Sequence, residues 1–129
     1  MVARQILQEQ QIHPAIRQMV SSHFRDTVED VKNATDEHRI VIVGMSGNPF
    51  VSKARQILHD RNISYKYLEY ASYFSQWRRR NSLKMWTGWP TFPMIFVDGV
   101  LIGGYQDLQS LINSAELIGQ LASERRYDW

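Results

Sequence analysis

Ile40-Val41-Ile42-Val43-Gly44-Met45-Ser46-Gly47-Asn48-Pro49-Phe50-Val51 is the stretch that decides the fold. Its first four residues form a continuous apolar, β-branched run, which suits a central strand covered on both faces. Asn48 then offers a side-chain oxygen to the first N–H groups of a helix, and Pro49 has the φ wanted at a first helical position. Ala54, Ile57 and Leu58 carry that helix to about Asp60, and Arg61-Asn62 turns the chain. Residues 63–69 alternate loosely around Tyr65 and Tyr67 and predict a second strand. Strand, helix and strand at this spacing make a parallel unit of right-handed connection.

Downstream, residues 73–85 read as a helix with Phe74, Trp77 and Leu83 on its apolar side, ended by Gly88 and Pro90. Met94-Ile95-Phe96-Val97 is a strand, Asp98-Gly99 a two-residue hairpin turn, and Val100-Leu101-Ile102 the antiparallel return. After Gly103-Gly104 a final helix starts at about Asp107 and carries Leu108, Leu111, Ile112 and Leu117. The polar tail runs from Ser123 to Trp129. Upstream, Pro14 opens a helix in which Ile16, Met19, Val20, Phe24, Val28 and Val31 recur every three or four residues. That stripe either docks on the chain's own domain or, in part, meets a partner subunit. The order is α/β, and a mixed four-stranded sheet flanked by helices satisfies it. The division expected is an N-terminal helical extension over 1–37, one domain over 38–120 and a tail over 121–129.

The 129 residues support one core. A net charge of +2 is too small to imply a nucleic-acid partner. Cysteine is absent, so disulfides, thiolate catalysis and a protein-thiol-ligated Fe–S cluster are excluded for this chain. His13, His23, His38 and His59 show no metal-ligand spacing. No apolar run reaches the roughly 18 residues of a membrane span. Residues 1–11 lack the apolar centre of a signal peptide, and the cytoplasm is the expected location.

Three motifs stand in order and at consistent spacing: residues 41–51 above; Leu83-Lys84-Met85-Trp86-Thr87-Gly88-Trp89-Pro90-Thr91-Phe92-Pro93; and Phe96-Val97-Asp98-Gly99 with Ile102-Gly103-Gly104-Tyr105-Gln106-Asp107. Together they resemble the glutaredoxins, and the Trp-Pro-Thr-Phe-Pro loop is most similar to that of the monothiol members. The resemblance covers roughly residues 38–118 and implies a thioredoxin-like fold. It places the nucleophilic cysteine of the family at Asn48, and the resolving cysteine or its serine replacement at Val51. Neither residue can supply a thiolate, and Ser46 and Ser52 have no histidine near them in sequence to activate a hydroxyl.

The resemblance also implies a glutathione groove. Its ligand-binding positions here would be Met45, Asn48, Phe50, Arg78, Lys84, Thr91, Phe92, Pro93, Gly104, Gln106 and Asp107. Met45 stands where relatives commonly carry a cation for a glutathione carboxylate, so affinity should be weak unless Arg78, Arg79, Arg80 or Lys84 substitutes. The arginine run also reads as a solvated helix face. Pro93 resembles the family's cis-proline, which would let Phe92 offer N–H and C=O groups to an extended ligand. Asp107 reads either as the cap of the last helix or as the partner of a ligand amine. The start of the helix from Pro49 should attract an anion.

These features point to a non-catalytic module that binds a protein partner or a glutathione-like peptide. The alternatives are a glutathione-dependent redox protein working through a partner's thiol, and a structural subunit that self-associates through its N-terminal helices. Neither nucleic acid nor membrane is an expected partner.

Overall fold

The computed structural model describes residues 4–22, 25–70 and 76–122. Strands β1 (Ile40–Met45), β2 (Lys66–Tyr70), β3 (Met94–Val97) and β4 (Val100–Gly103) form one sheet in the order β2-β1-β3-β4. β1 pairs parallel with β2 and antiparallel with β3, and β3 pairs antiparallel with β4. Helices α1 (Pro14–Ser22) and α2 (Arg25–Glu37) precede the sheet. Then come α3 (Pro49–Asp60), α4 (Trp77–Thr87), α5 (Tyr105–Asn113) and α6 (Glu116–Ala122). A mixed sheet flanked by helices is the expected architecture.

Alternation along the strands divides the core into two layers, one on each face of the sheet. Ile40 and Ile42 of β1, with Ile95 and Val97 of β3, meet Ala54 and Leu58 of α3, Leu108 and Ile112 of α5 and Leu117 of α6. Val41 and Val43, with Met94 and Phe96, meet Val31 and Ala34 of α2 and Leu83 of α4. The doubly covered β1 read from its sequence is therefore the centre of the molecule.

Several boundaries differ from expectation. β2 begins at Lys66, not at 63, because Asn62 at φ +57° and a bond from Ile63 N–H to the Leu58 carbonyl prolong the end of α3. The N-terminal stripe is divided between α1 and α2. Val28 and Val31 of α2 reach the core, whereas Ile16 and Met19 of α1 are 45% and 68% exposed. Phe24 and the Val20 side chain lie outside the described residues.

α4 runs on to Thr87 and is closed by Gly88 at φ +75°, a left-handed cap that suits glycine. Trp77 is half exposed, not core, and Phe74 lies outside the described residues, as does the tail to Trp129. The last helix is two helices: Ala115 at φ +63° breaks it, and Leu117 belongs to α6.

Candidate functional site

Asn48 joins two loops that are far apart in sequence. Its Oδ1 accepts from the N–H groups of Phe50 at 2.9 Å and Val51 at 3.3 Å, capping α3 as its sequence predicts. Its Nδ2 donates to the carbonyl of Phe92 at 3.2 Å. A carboxamide carries acceptor and donor at once, so one side chain serves both loops. The Phe92–Pro93 peptide is cis, as the motif implies.

One expectation changes as a result. The start of α3 does not present these two N–H groups to an anion, because the Asn48 oxygen holds them. The Phe92 carbonyl, expected to serve a ligand, accepts from the Asn48 amide and keeps a second lone pair. Val51 is turned into the core and is 3% exposed.

Beside this bridge lies an open groove of about 520 Å³. Met45, Asn48 and Phe50 line it, together with Lys84, Thr91, Phe92 and Pro93. Gly104, Gln106 and Asp107 close it from the start of α5. These residues are brought together as expected. Arg78 is not: it is exposed on α4 and lines no part of the groove. Its neighbour Arg79 donates to Thr27 Oγ1 at 2.8 Å and pairs with Asp26 at 3.3 Å, tying α4 to α2. Arg80 is buried. Of the four cations in that run, only Lys84 reaches the groove wall.

Asp107 is the third residue of α5, not its cap. Gly104 holds the cap position, and Asp107 Oδ2 accepts from the Gly104 N–H at 2.9 Å. Gly103 has φ +114°, and a Cβ there would run into the Asp107 carboxylate. Both facts require glycine at the turn into the groove.

Sequence reasoning did not single out Trp89, Pro90 and Tyr105, which also line the groove. Trp89 and Pro90 fall inside the quoted loop motif. Tyr105 follows the glycine pair, and its size at a turn was the available signal. The rings of Phe50 and Tyr105 lie 6.4 Å apart at 38°. Lys53 Nζ stands 5.2 Å from the Phe50 ring centre and Lys84 Nζ 5.7 Å from that of Phe92. The buried indole N–H of Trp89 has no partner among the described residues.

On the sheet, Tyr67 of β2 packs over Gly44 of β1, with Arg55 of α3 stacked on its ring at 4.0 Å. Tyr67 donates to Glu69 at 2.9 Å. Burial, and then this bond, push its phenol up to about 12. Among the described residues no group of three or more His, Cys, Asp or Glu could hold a metal, and no helix is long and apolar enough to cross a membrane.

The glutaredoxin family model matches residues 40–102, which span the first two motifs and the third as far as Ile102. A glutaredoxin-like protein of Dictyostelium discoideum is 42% identical over 106 residues, covering 82% of this chain and 86% of that protein. The chain belongs to the glutaredoxin family. Rat mitochondrial glutaredoxin-2 is 33% identical over 93 residues, covering 70% of this chain and 58% of that protein.

The fold agrees. A buckwheat glutaredoxin–glutathione complex superposes with a TM-score of 0.70 at 17% identity, covering 78% of this chain and 92% of that one. The holo form of poplar glutaredoxin C1 gives 0.68 at 21% identity, covering 83% and 99%. This glutaredoxin therefore keeps the family's fold while its sequence contains no cysteine.

Proposed function

We propose that this glutaredoxin is a non-catalytic binding module that receives an extended peptide segment of a partner protein in the groove between Asn48, Phe92 and Asp107. The observation that carries the reading is the bridge of Asn48. At the position of the family nucleophile stands a neutral amide, hydrogen-bonded on both sides, and the groove beside it stays open. A side chain that locks both loops pre-organises a groove without reacting with its contents, and pre-organisation lowers the entropy lost on binding.

Glutathione, the small peptide named with the buckwheat structure, belongs to the same reading as a weak ligand. Asp107 and Lys84 stand on the groove wall to meet an amine and a carboxylate, while Met45 adds no charge. Titration of the ¹⁵N-labelled chain with glutathione, followed by NMR, tests it. Shifts confined to Phe50, Thr91 and residues 104–107, with no turnover of a glutathione mixed disulfide, support the module. Groove resonances that stay fixed at millimolar glutathione, and with peptide libraries, sink it.

A second reading has one observation in its favour. Ile16 and Met19 leave an apolar face of α1 exposed, which suits self-association through the N-terminal helices. Sedimentation of the chain and of Met19→Lys decides this separately, since α1 contributes nothing to the groove wall. A cytoplasmic location is part of the proposal, and subcellular fractionation sets it against the mitochondrial location printed in the rat relative's name.

A further inference from the structure

The sheet ends in β2 on one side and β4 on the other, and the two edges differ. β2 carries Lys66 and Glu69, both exposed, and charges of this kind discourage pairing with another chain. β4, Val100-Leu101-Ile102-Gly103, has neither a charge nor a proline. Val100 pairs with Val97 across the two-residue turn, so its N–H and C=O point to β3 and those of Leu101 point outward. Leu101 pairs with Phe96 and Gly103 with Ile95, which makes Ile102 the extra residue of a bulge. A ladder on this edge is therefore short, and side chains must supply the rest of any recognition.

Beside the edge lies a cleft of about 370 Å³ that shares only Asp107 with the groove. Asp107, Ser110 and Leu111 stand on one face of α5 at helical spacing and line it together with β4. The break at Ala115 brings Glu116 of α6 into the same lining. Leu111 and the first three residues of β4 are partly buried and give the cleft its apolar surface. Its charged residues are both acidic, and no lysine, arginine or histidine lines it. Neither carboxylate has an ion pair among the described residues.

An uncharged edge accepts an extended segment, whose N–H and C=O groups pair with those of Leu101. The apolar surface suits an aliphatic side chain, and the two carboxylates suit cations on either side of it. A second copy joined edge to edge would bring two more carboxylates to the same place, and like charges oppose that pairing. We propose that β4 and this cleft form a second docking surface, apart from the groove. Its occupant is an extended segment of a partner protein in which basic and aliphatic side chains take turns along one face.

The test uses a ten-residue peptide with arginine and isoleucine taking turns at the odd positions and threonine at the even ones, since every second side chain shares a face. It is titrated into the full ¹⁵N-labelled chain and followed by NMR. Leu101, Ser110, Leu111 and Glu116 should shift, while Phe50 and Thr91 stay fixed. Glutamate in place of the arginines should lose about tenfold in affinity, and serine in place of the isoleucines about as much. Glu116→Lys should weaken the arginine peptide about fivefold and strengthen the glutamate peptide. Ser110→Lys, also at an exposed position, provides the same comparison should that variant not fold.

Two N-methylated peptides separate strand addition from charge attraction. Methyl groups on the odd residues remove the main-chain donors of one edge, and on the even residues those of the other. Only one edge can pair with β4, so one peptide should lose about tenfold and the other stay within about twofold. Equal effects of the two methylations, an arginine peptide no tighter than its glutamate counterpart, or shifts at Phe50 and Thr91 in place of Leu101 overturn the proposal. The absence of any shift does so too. Resonances of Leu101 and Ser110 that move with protein concentration alone would assign the edge to a second copy instead. The same resonances moving in the peptide-free chain with Arg125→Glu and Arg126→Glu would assign it to the chain's own tail, and either result overturns the partner. The outcome does not depend on glutathione, so the groove reading stands or falls separately.

Discussion

At residue scale, position 48 exchanges a reactive group for a structural one. The amide oxygen of Asn48 lies 2.9 Å from the Phe50 N–H and 3.3 Å from that of Val51, where a sulfur in Asn48→Cys would lie close to the same two donors. Donors at a helix start favour a thiolate, and the thiol should titrate well below its ordinary value of about 8.5. The expected outcome is a reactive thiol with poor turnover, because Met45 supplies no cation for a glutathione carboxylate. The apparent KM for a glutathione mixed disulfide should be high, and Met45→Lys in the same background should recover part of it. Iodoacetamide alkylation against pH checks the thiol. A midpoint at or above 8.5 would show that the helix start does not act on position 48.

Two contacts between elements yield stability predictions. The first is a clamp that holds α6 to the sheet. Arg39 meets buried Asp98 through two bonds of 2.8 and 2.9 Å and reaches the carbonyls of Leu121 and Gln120. Gln120 Nε2 in turn donates to Asp98 at 2.9 Å. Asp98→Asn tolerates the positive φ of the hairpin turn, removes the charge and puts an NH2 group where one accepting oxygen stood. Arg39 is left without its counter-ion, and because it is a third exposed the cost should fall at the lower end of the range, about 3 kcal/mol. That lowers Tm by roughly 10 °C, read by circular dichroism. An unchanged Tm would mean that the clamp contributes nothing.

The second contact is Tyr67, which packs β2 over Gly44. Its phenol is raised from 10.0 to about 12 in the fold. Between these values the unfolded chain has released the proton and the folded chain still holds it. The unfolded state therefore binds fewer protons, and stability falls as pH rises. The contribution is complete below pH 10 and lost by about 12. Urea titrations across this window should show a shallower decline for Tyr67→Phe than for the parent, and parallel declines would refute the assignment.

For the whole molecule, a glutaredoxin-family fold carries no cysteine. The purified chain should give no rate above a no-protein control in a glutathione-coupled disulfide-reduction assay. Turnover that tracks the protein through purification would overturn this. Much of the architecture was legible along the chain, because it rests on local signals. The β-branched run at 40–43, Asn48-Pro49, Asp98-Gly99 and Gly103-Gly104 each act on their own neighbours through burial, capping or φ. The three motifs placed most of the groove for the same reason. The sequence by itself thus determined the family fold, the strand order's parallel unit and the loss of thiol chemistry. Only the tertiary structure decided that the Asn48 amide spans to Phe92, that Lys84 and not Arg78 faces the groove, and that Asp107 reaches back to Gly104. Such choices depend on where side chains on separate elements end up to within about an ångström, and a linear pattern of residue types carries no such distances.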